Sequence, residues 1–140
     1  MMLNASTDYA IKIIVYLARC NRVVSSKELS RAIEVSPRYL LQICARLRDA
    51  HLLSTSYGST GGFELSLPPA RISLFDIITV MENEHVFFNP AGEQVPPSGV
   101  FTLLTKTYSC LTKMQRLRLE EITIEKLIMD TKEEHIITKC

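Results

Sequence analysis

No apolar run in the 140 residues is longer than Ile13–Ala18, far short of the ~20 residues a helix needs to cross a bilayer. The opening Met1-Met2-Leu3-Asn4-Ala5-Ser6-Thr7-Asp8 lacks a basic patch followed by an apolar core, so no secretory signal is expected. Cysteine is scattered: Cys20, Cys44, Cys110 and Cys140 contain no C-x-x-C pair. That spacing suits neither a disulfide scaffold nor a zinc site, and reduced thiols are expected. No Ser/His/Asp set and no pair of carboxylates falls at catalytic spacing. The cluster Gly58-Ser59-Thr60-Gly61-Gly62 lacks a Gly-Lys-Ser/Thr ending and precedes a strand pattern rather than a helix, which excludes a nucleotide-hydrolysing loop. An enzyme is not expected. What remains, at 46% apolar and 22% charged residues, is an ordinary globular domain able to bury a core. Its expected compartment is the cytoplasm, with no membrane partner.

Net charge is only +1, but it is unevenly spread. Residues 1–80 carry nine Lys/Arg against six Asp/Glu, and residues 81–140 seven against nine. Between positions 22 and 48, Arg22, Lys27, Arg31, Arg38, Arg46 and Arg48 face only Glu28 and Glu34. Such an excess is either the footprint of a polyanion-binding surface or a solvated helix face.

Positions 6–20 read as a helix capped by Ser6 or Thr7, with Ala10, Ile13, Ile14 and Leu17 at helical spacing. Ser25-Ser26-Lys27-Glu28 fits a capping box, Glu28 reaching back, before a short helix burying Leu29, Ala32 and Ile33. Glu34-Val35-Ser36 is a tight turn with Val35 inward. Ser36-Pro37 then starts a helix to Ala50, with Leu40, Ile43, Cys44 and Leu47 on one face and Arg38, Gln42, Arg46 and Asp49 on the other. This is a helix-turn-helix pattern. After His51 the period falls to two: Leu52–Tyr57 is one strand, Phe63, Leu65 and Leu67 mark a second, and the glycine cluster joins them. Pro68-Pro69 ends the hairpin. Ser73, with Asp76 three residues on, opens a helix whose stripe is Leu74, Ile77, Ile78 and Met81. Asn83–Pro97, with three prolines, is a long loop. A helix from Ser98 to Glu121 would span roughly 36 Å, more than its own domain can cover. Its stripe of Val100, Leu103, Leu104, Leu111, Met114 and Leu117 therefore calls for a partner, most simply a second copy. Thr123 can cap a last helix, Ile124–Met129, followed by a frayed tail.

The expected fold is mainly α with a small β-hairpin: a winged helix-turn-helix domain plus a long dimerisation helix. The expected organisation is a winged helix-turn-helix over 1–82, a loop over 83–97, the dimerisation helix and short C-terminal helix over 98–130, and a tail over 131–140. In this architecture one helix enters the major groove of double-stranded DNA, a second braces it, and the hairpin reaches nearby phosphates or the minor groove.

Several segments carry a more specific likeness. Tyr9-Ala10-Ile11-Lys12, Ser36-Pro37-Arg38-Tyr39-Leu40 and Leu47-Arg48-Asp49-Ala50-His51-Leu52-Leu53 are three. Gly58-Ser59-Thr60-Gly61-Gly62-Phe63-Glu64-Leu65, Ile72-Ser73-Leu74-Phe75-Asp76-Ile77-Ile78 and Ile122-Thr123-Ile124-Glu125-Lys126-Leu127 continue it. As an ordered set over nearly the whole chain, they resemble the Rrf2 family of bacterial transcription regulators. The resemblance implies a DNA-binding winged-helix dimer joined through the long helix. Many members carry three closely spaced cysteines before that helix, ligating an iron–sulfur cluster. Here His85–Pro97 holds none, Cys110 alone cannot replace three thiolates, and Glu93 and the three histidines have no metal-ligand spacing. No iron–sulfur cluster and no metal site are expected. Family wings often carry basic residues where this chain has Tyr57, Thr60 and Glu64, and a glycine commonly stands at the position of His51.

The groove-facing residues expected on the second helix are Arg38, Tyr39, Gln42 and Arg46, arginine suiting guanine and glutamine adenine. Ser26, Lys27, Thr60 and the Gly61-Gly62 amides are expected on phosphates, with Ser36 and Tyr57 completing the DNA-binding set. Cys44 reads as core. The function expected is a homodimeric, sequence-specific DNA-binding repressor whose half-sites lie about one helical turn, ~10 base pairs, apart. The alternative is a protein-interaction or scaffold module that kept this fold after its wing lost DNA contacts.

Overall fold

The computed structural model describes residues 3–82 and 99–131. The expected loop over 83–97 and the tail from 132 onward lie outside the described residues. Six α-helices and one hairpin follow in the order α1 Ala5–Cys20, α2 Ser26–Ile33, α3 Pro37–Asp49, β1 Leu53–Ser56, β2 Gly62–Leu65, a 3-10 turn Pro69–Arg71, α4 Leu74–Met81, α5 Gly99–Glu121 and α6 Ile124–Asp130. The expected mainly helical fold with a small hairpin is the one observed.

α1 runs through the centre, burying Ala10, Ile13, Ile14 and Leu17 against Leu29 and Ile33 of α2 and Leu40, Ile43, Cys44 and Leu47 of α3. Neither Ser6 nor Thr7 caps it, because the cap position is Asn4. Thr7 is buried and donates to Glu82 Oε1 at 2.5 Å, while the Asn4 backbone N–H and Nδ2 each donate to that carboxylate at 2.7 Å. The buried Glu82 is thus satisfied by three donors from the first turn of α1.

In α2, Ser25 accepts from the Glu28 amide at 3.2 Å as expected, but Glu28 does not reach back. Its carboxylate is taken by Arg22 at 2.6 Å and Tyr16 Oη at 3.0 Å. Ala32 is exposed and Ser30 buried in its place. Ser30 Oγ donates to the Val35 carbonyl at 2.5 Å and the Val35 amide to the Ser30 carbonyl at 3.1 Å, closing the helix-turn-helix turn with Val35 half-buried.

α3 is capped by Ser36, which accepts from the Tyr39 amide at 3.3 Å. At its far end His51 takes φ 62°. Its amide donates to the Arg48 carbonyl at 2.9 Å and that of Leu52 to the Leu47 carbonyl at 3.0 Å, a Schellman closure with Leu47 and Leu52 both buried. Histidine accepts the left-handed strain because the apolar contact and two hydrogen bonds hold the turn.

The hairpin pairs Leu53 with Leu65, Ser54 with Glu64, Thr55 with Phe63 and Ser56 with Gly62. It is shorter than Leu52–Tyr57 and Phe63–Leu67 because the ladder stops where Tyr57 turns into the glycine tip and at Leu65. Val24 adds a bridge on the other edge of Phe63, with hydrogen bonds of 2.9 and 2.8 Å. At Gly62 this approach leaves no room for a Cβ, which would collide with the Val24 carbonyl.

α4 carries a complete capping box: Asp76 Oδ2 accepts from the Ser73 amide at 2.8 Å, and Ser73 Oγ from the Asp76 amide at 3.2 Å. α6, capped by Thr123, belongs to the same core through the fully buried Ile124. The Ile124 amide donates to the Ile72 carbonyl and the Leu74 amide to the Ile122 carbonyl, each at 2.9 Å, stitching the α5–α6 junction to the segment before α4.

α5 is different. Its 23 residues, roughly 35 Å long, bury none of their side chains. It meets the body near its C-terminal half, where the Arg116 guanidinium lies 4.9 Å from the Phe75 ring centre. All six residues of the expected stripe, with Phe101 and Tyr108, are exposed. Among the described residues no helix is long and apolar enough to cross a membrane.

Candidate nucleic-acid interface

With Leu40, Ile43, Cys44 and Leu47 facing the core, the 100° step of an α-helix turns Arg38, Leu41, Gln42, Arg48 and Asp49 outward, and all five are exposed. Serine capping and proline at the first position aim the α3 N-terminus, with Arg38 beside it, away from the body. Two of the expected groove-facing residues stand at the flank. Tyr39 is half-buried, its ring edge-on to Tyr9 at 5.9 Å and 88°. Arg46 Nη2 donates to the carbonyls of Val80 at 2.9 Å and Met81 at 3.2 Å. A guanidinium there meets the negative end of α4 and ties α3 to it.

Leu41 was missed. The buried stripe set by Leu40, Ile43, Cys44 and Leu47 leaves position 41 to one side of it, so Leu41 falls on the outer face. That was the available signal. Arg48 was also left out of the expected set, although it is exposed beside Asp49, with which it pairs at 3.4 Å.

Of the basic residues between positions 22 and 48, Arg22 is engaged by Glu28. The Arg22 hydrogen bond, followed by that from Tyr16, holds the Glu28 carboxyl below its ordinary range. Burial and donation to Glu28 push the Tyr16 phenol up. Lys27, Arg31 and Arg38 are exposed, and among the described residues no ion pair neutralises them. Lys27 sits in the first turn of α2 next to the half-buried Ser26, and Ser36 is exposed at the start of α3. The two helix starts therefore offer cations and N–H groups together, an arrangement suited to phosphates.

At the wing, Tyr57 is 86% exposed and Thr60 is exposed, while Gly61 and Gly62 are half-buried. The Gly61 amide donates to the Gly58 carbonyl at 3.1 Å, so it closes the turn instead of standing open to a ligand. The hairpin from Leu53 to Leu65 carries no Lys or Arg.

The thiols occupy three environments. Cys44 is fully buried in α3, and desolvation pushes its thiol up to about 12. Cys110 is exposed on α5, and both are free. Cys20 is disulfide-bonded, which corrects the expectation of reduced thiols throughout; spacing along a chain does not measure proximity in space. Among the described residues no three His, Cys, Asp or Glu side chains come together as a metal site. In an isolated folded chain at pH 8, Cys110 should alkylate rapidly and Cys44 negligibly, since only an accessible thiolate reacts. Mass spectrometry after a maleimide pulse checks this, and equal labelling of both would contradict the burial of Cys44.

The profile of the Rrf2 family, described as "Iron-dependent Transcriptional regulator", matches residues 3–130. A Mycobacterium tuberculosis protein of the HTH-type transcriptional regulator class is 30% identical over 97% of this chain and 86% of its own length. The HTH-type transcriptional regulator NsrR of Bacillus licheniformis is 25% identical over 97% of this chain and 96% of its own. Among solved structures, CymR, the global cysteine regulator of Bacillus subtilis, superposes with a TM-score of 0.74 at 25% identity, covering 94% of this chain and 99% of that one. IscR of T. potens gives 0.71 at 24% identity, covering 95% and 90%. The two sequence relatives are named as HTH-type transcriptional regulators, and the two solved structures share the fold described above. The chain belongs to the Rrf2 family of transcriptional regulators.

Proposed function

We propose that two copies pair along α5 and bind a roughly palindromic site in double-stranded DNA, each inserting the N-terminal half of α3 into a major groove. The observation that carries this reading is the exposed surface of α3, where Arg38 and Gln42 stand clear of a tightly capped helix. Arg38 and Gln42 read base edges. Ser26, Lys27, Ser36 and Thr60 contact phosphates and set the register. Tyr57 and the Gly61-Gly62 tip lie against the neighbouring backbone. Tyr39 and Arg46 hold α3 on α1 and α4. The exposed α5 stripe supports pairing, since six apolar side chains along one helix are costly to leave in water. As a DNA-binding protein it acts in the cytoplasm, and repression follows most simply, from a dimer occupying a promoter.

We further propose that this regulator works without an iron–sulfur cluster. The thiols do not fit one: Cys44 is sealed in the core, Cys20 is bonded, and Cys110 stands without companion ligands among the described residues. Its signal acts instead by favouring one of two dimer arrangements with different spacing between the α3 helices.

Binding of the full-length protein to duplexes selected from random sequence tests the reading. Affinity for the selected site should fall steeply with salt. Arg38→Ala should cost roughly 5- to 150-fold on that site and relax its sequence preference. Equal indifference to every duplex at low salt would instead support the protein-interaction module.

A further inference from the structure

Leu41 is 49% exposed on α3, one turn from Arg38 on the same side of the helix. Pro37 and Ala45 are its other neighbours one turn away and Arg48 lies two turns on, so an aliphatic side chain stands between two exposed arginines, Arg38 and Arg48. Leu40 already occupies the core position of that turn, fully buried. Exposed leucines are common on protein surfaces and carry no meaning by themselves. Here the position is specific: Leu41 lies on the helix that presents Arg38 and Gln42.

A partner for this spot must carry negative charge around a small apolar feature. A protein surface rarely combines the two, and the DNA major groove always does at A·T pairs. Phosphates line its walls, and the thymine C5-methyl is the apolar group on its floor. We propose that Leu41 reads a thymine methyl within each half-site and is thereby a specificity-determining residue that no charged contact can replace. The inference rests on the DNA-binding reading above. It adds a base preference that neither Arg38 nor Gln42 supplies, since their hydrogen bonds go to purine edges.

The test uses the full-length protein and its selected duplex. Each thymine of a half-site is replaced in turn by deoxyuridine, which removes only the methyl group. The same series is measured with Leu41→Ala, whose thermal midpoint should stay close to the parent's because the side chain is 49% exposed. At one position per half-site the parent should lose roughly fourfold in affinity, the transfer value of one methyl-sized group. Both protomers carry the substitution, so Leu41→Ala should lose roughly 16-fold on the all-thymine duplex and then be indifferent to deoxyuridine at that position in either half-site. Its dependence of affinity on salt should equal the parent's, since no phosphate contact is removed.

Tolerance of deoxyuridine at every position overturns the proposal, as does an undiminished methyl effect in Leu41→Ala. Both outcomes leave DNA binding itself intact. Failure to bind any selected duplex overturns the proposal together with the reading beneath it, and is recognised by the parent protein failing as well.

Discussion

Leu104→Glu combined with Leu111→Glu should leave a folded monomer that binds its DNA site at least ~100-fold more weakly. The two leucines are 39% and 57% exposed on α5. Placing carboxylates there costs an isolated chain little, because α5 buries no side chain of its own. In a pair the same carboxylates would face apolar surface and one another. Loss of the pair removes the second half-site contact, and linked binding commonly contributes a factor of 10² to 10⁴. Sedimentation equilibrium reads the mass and a filter or fluorescence assay the affinity, while circular dichroism shows whether the body is intact. A variant that remains dimeric, or a monomer with parental affinity, would refute pairing along this stripe.

The second large effect lies at the opposite end of α5. Ile124→Ala should lower unfolding stability by about 3 kcal/mol, within the 2–5 kcal/mol range for truncating a fully buried isoleucine. The residue packs into the core built around α1 although it follows the long helix in sequence. Val100→Ala, at the exposed start of α5, should change the stability of an isolated chain by no more than about 0.5 kcal/mol. Urea unfolding of both variants in the Leu104→Glu/Leu111→Glu background separates the two. Comparable losses would mean that α6 does not contribute to the core as described.

Much of this was readable beforehand, and the reasons differ by element. The stripe of α1 and that of α3 are legible because periodic apolar spacing and local caps, such as Ser36-Pro37, are encoded within a few residues. The box of Ser73 and Asp76 was visible for the same reason. Thr7 and Glu82 were not, since their hydrogen bond joins residues 75 positions apart. Glu28 fits a capping box by spacing, but Arg22 and Tyr16 outbid its own helix for the carboxylate. Ala32 and Ser30 exchanged roles because the serine hydroxyl can close the turn at Val35, a bond no hydropathy pattern contains. At the interface, Arg38 and Gln42 followed from the helical period alone. The exposure of Arg46 followed from it too, but its bond to the end of α4 depends on where that helix lands. Leu41 was hidden by its chemistry, as a leucine beside a leucine reads as core.

The seam that binds Ile72 to Ile124 and Leu74 to Ile122 sets how motion can pass through the molecule. A long rod joined to its body by one flexible peptide would turn without moving it. This rod is sewn to the stretch that leads into α4, and α4 is held in turn by the Arg46 guanidinium of α3. Torque applied to α5 is therefore passed through α4 to α3. In the proposed dimer, rotation of one α5 against the other would move the two copies of α3 relative to each other rather than be lost in a slack joint.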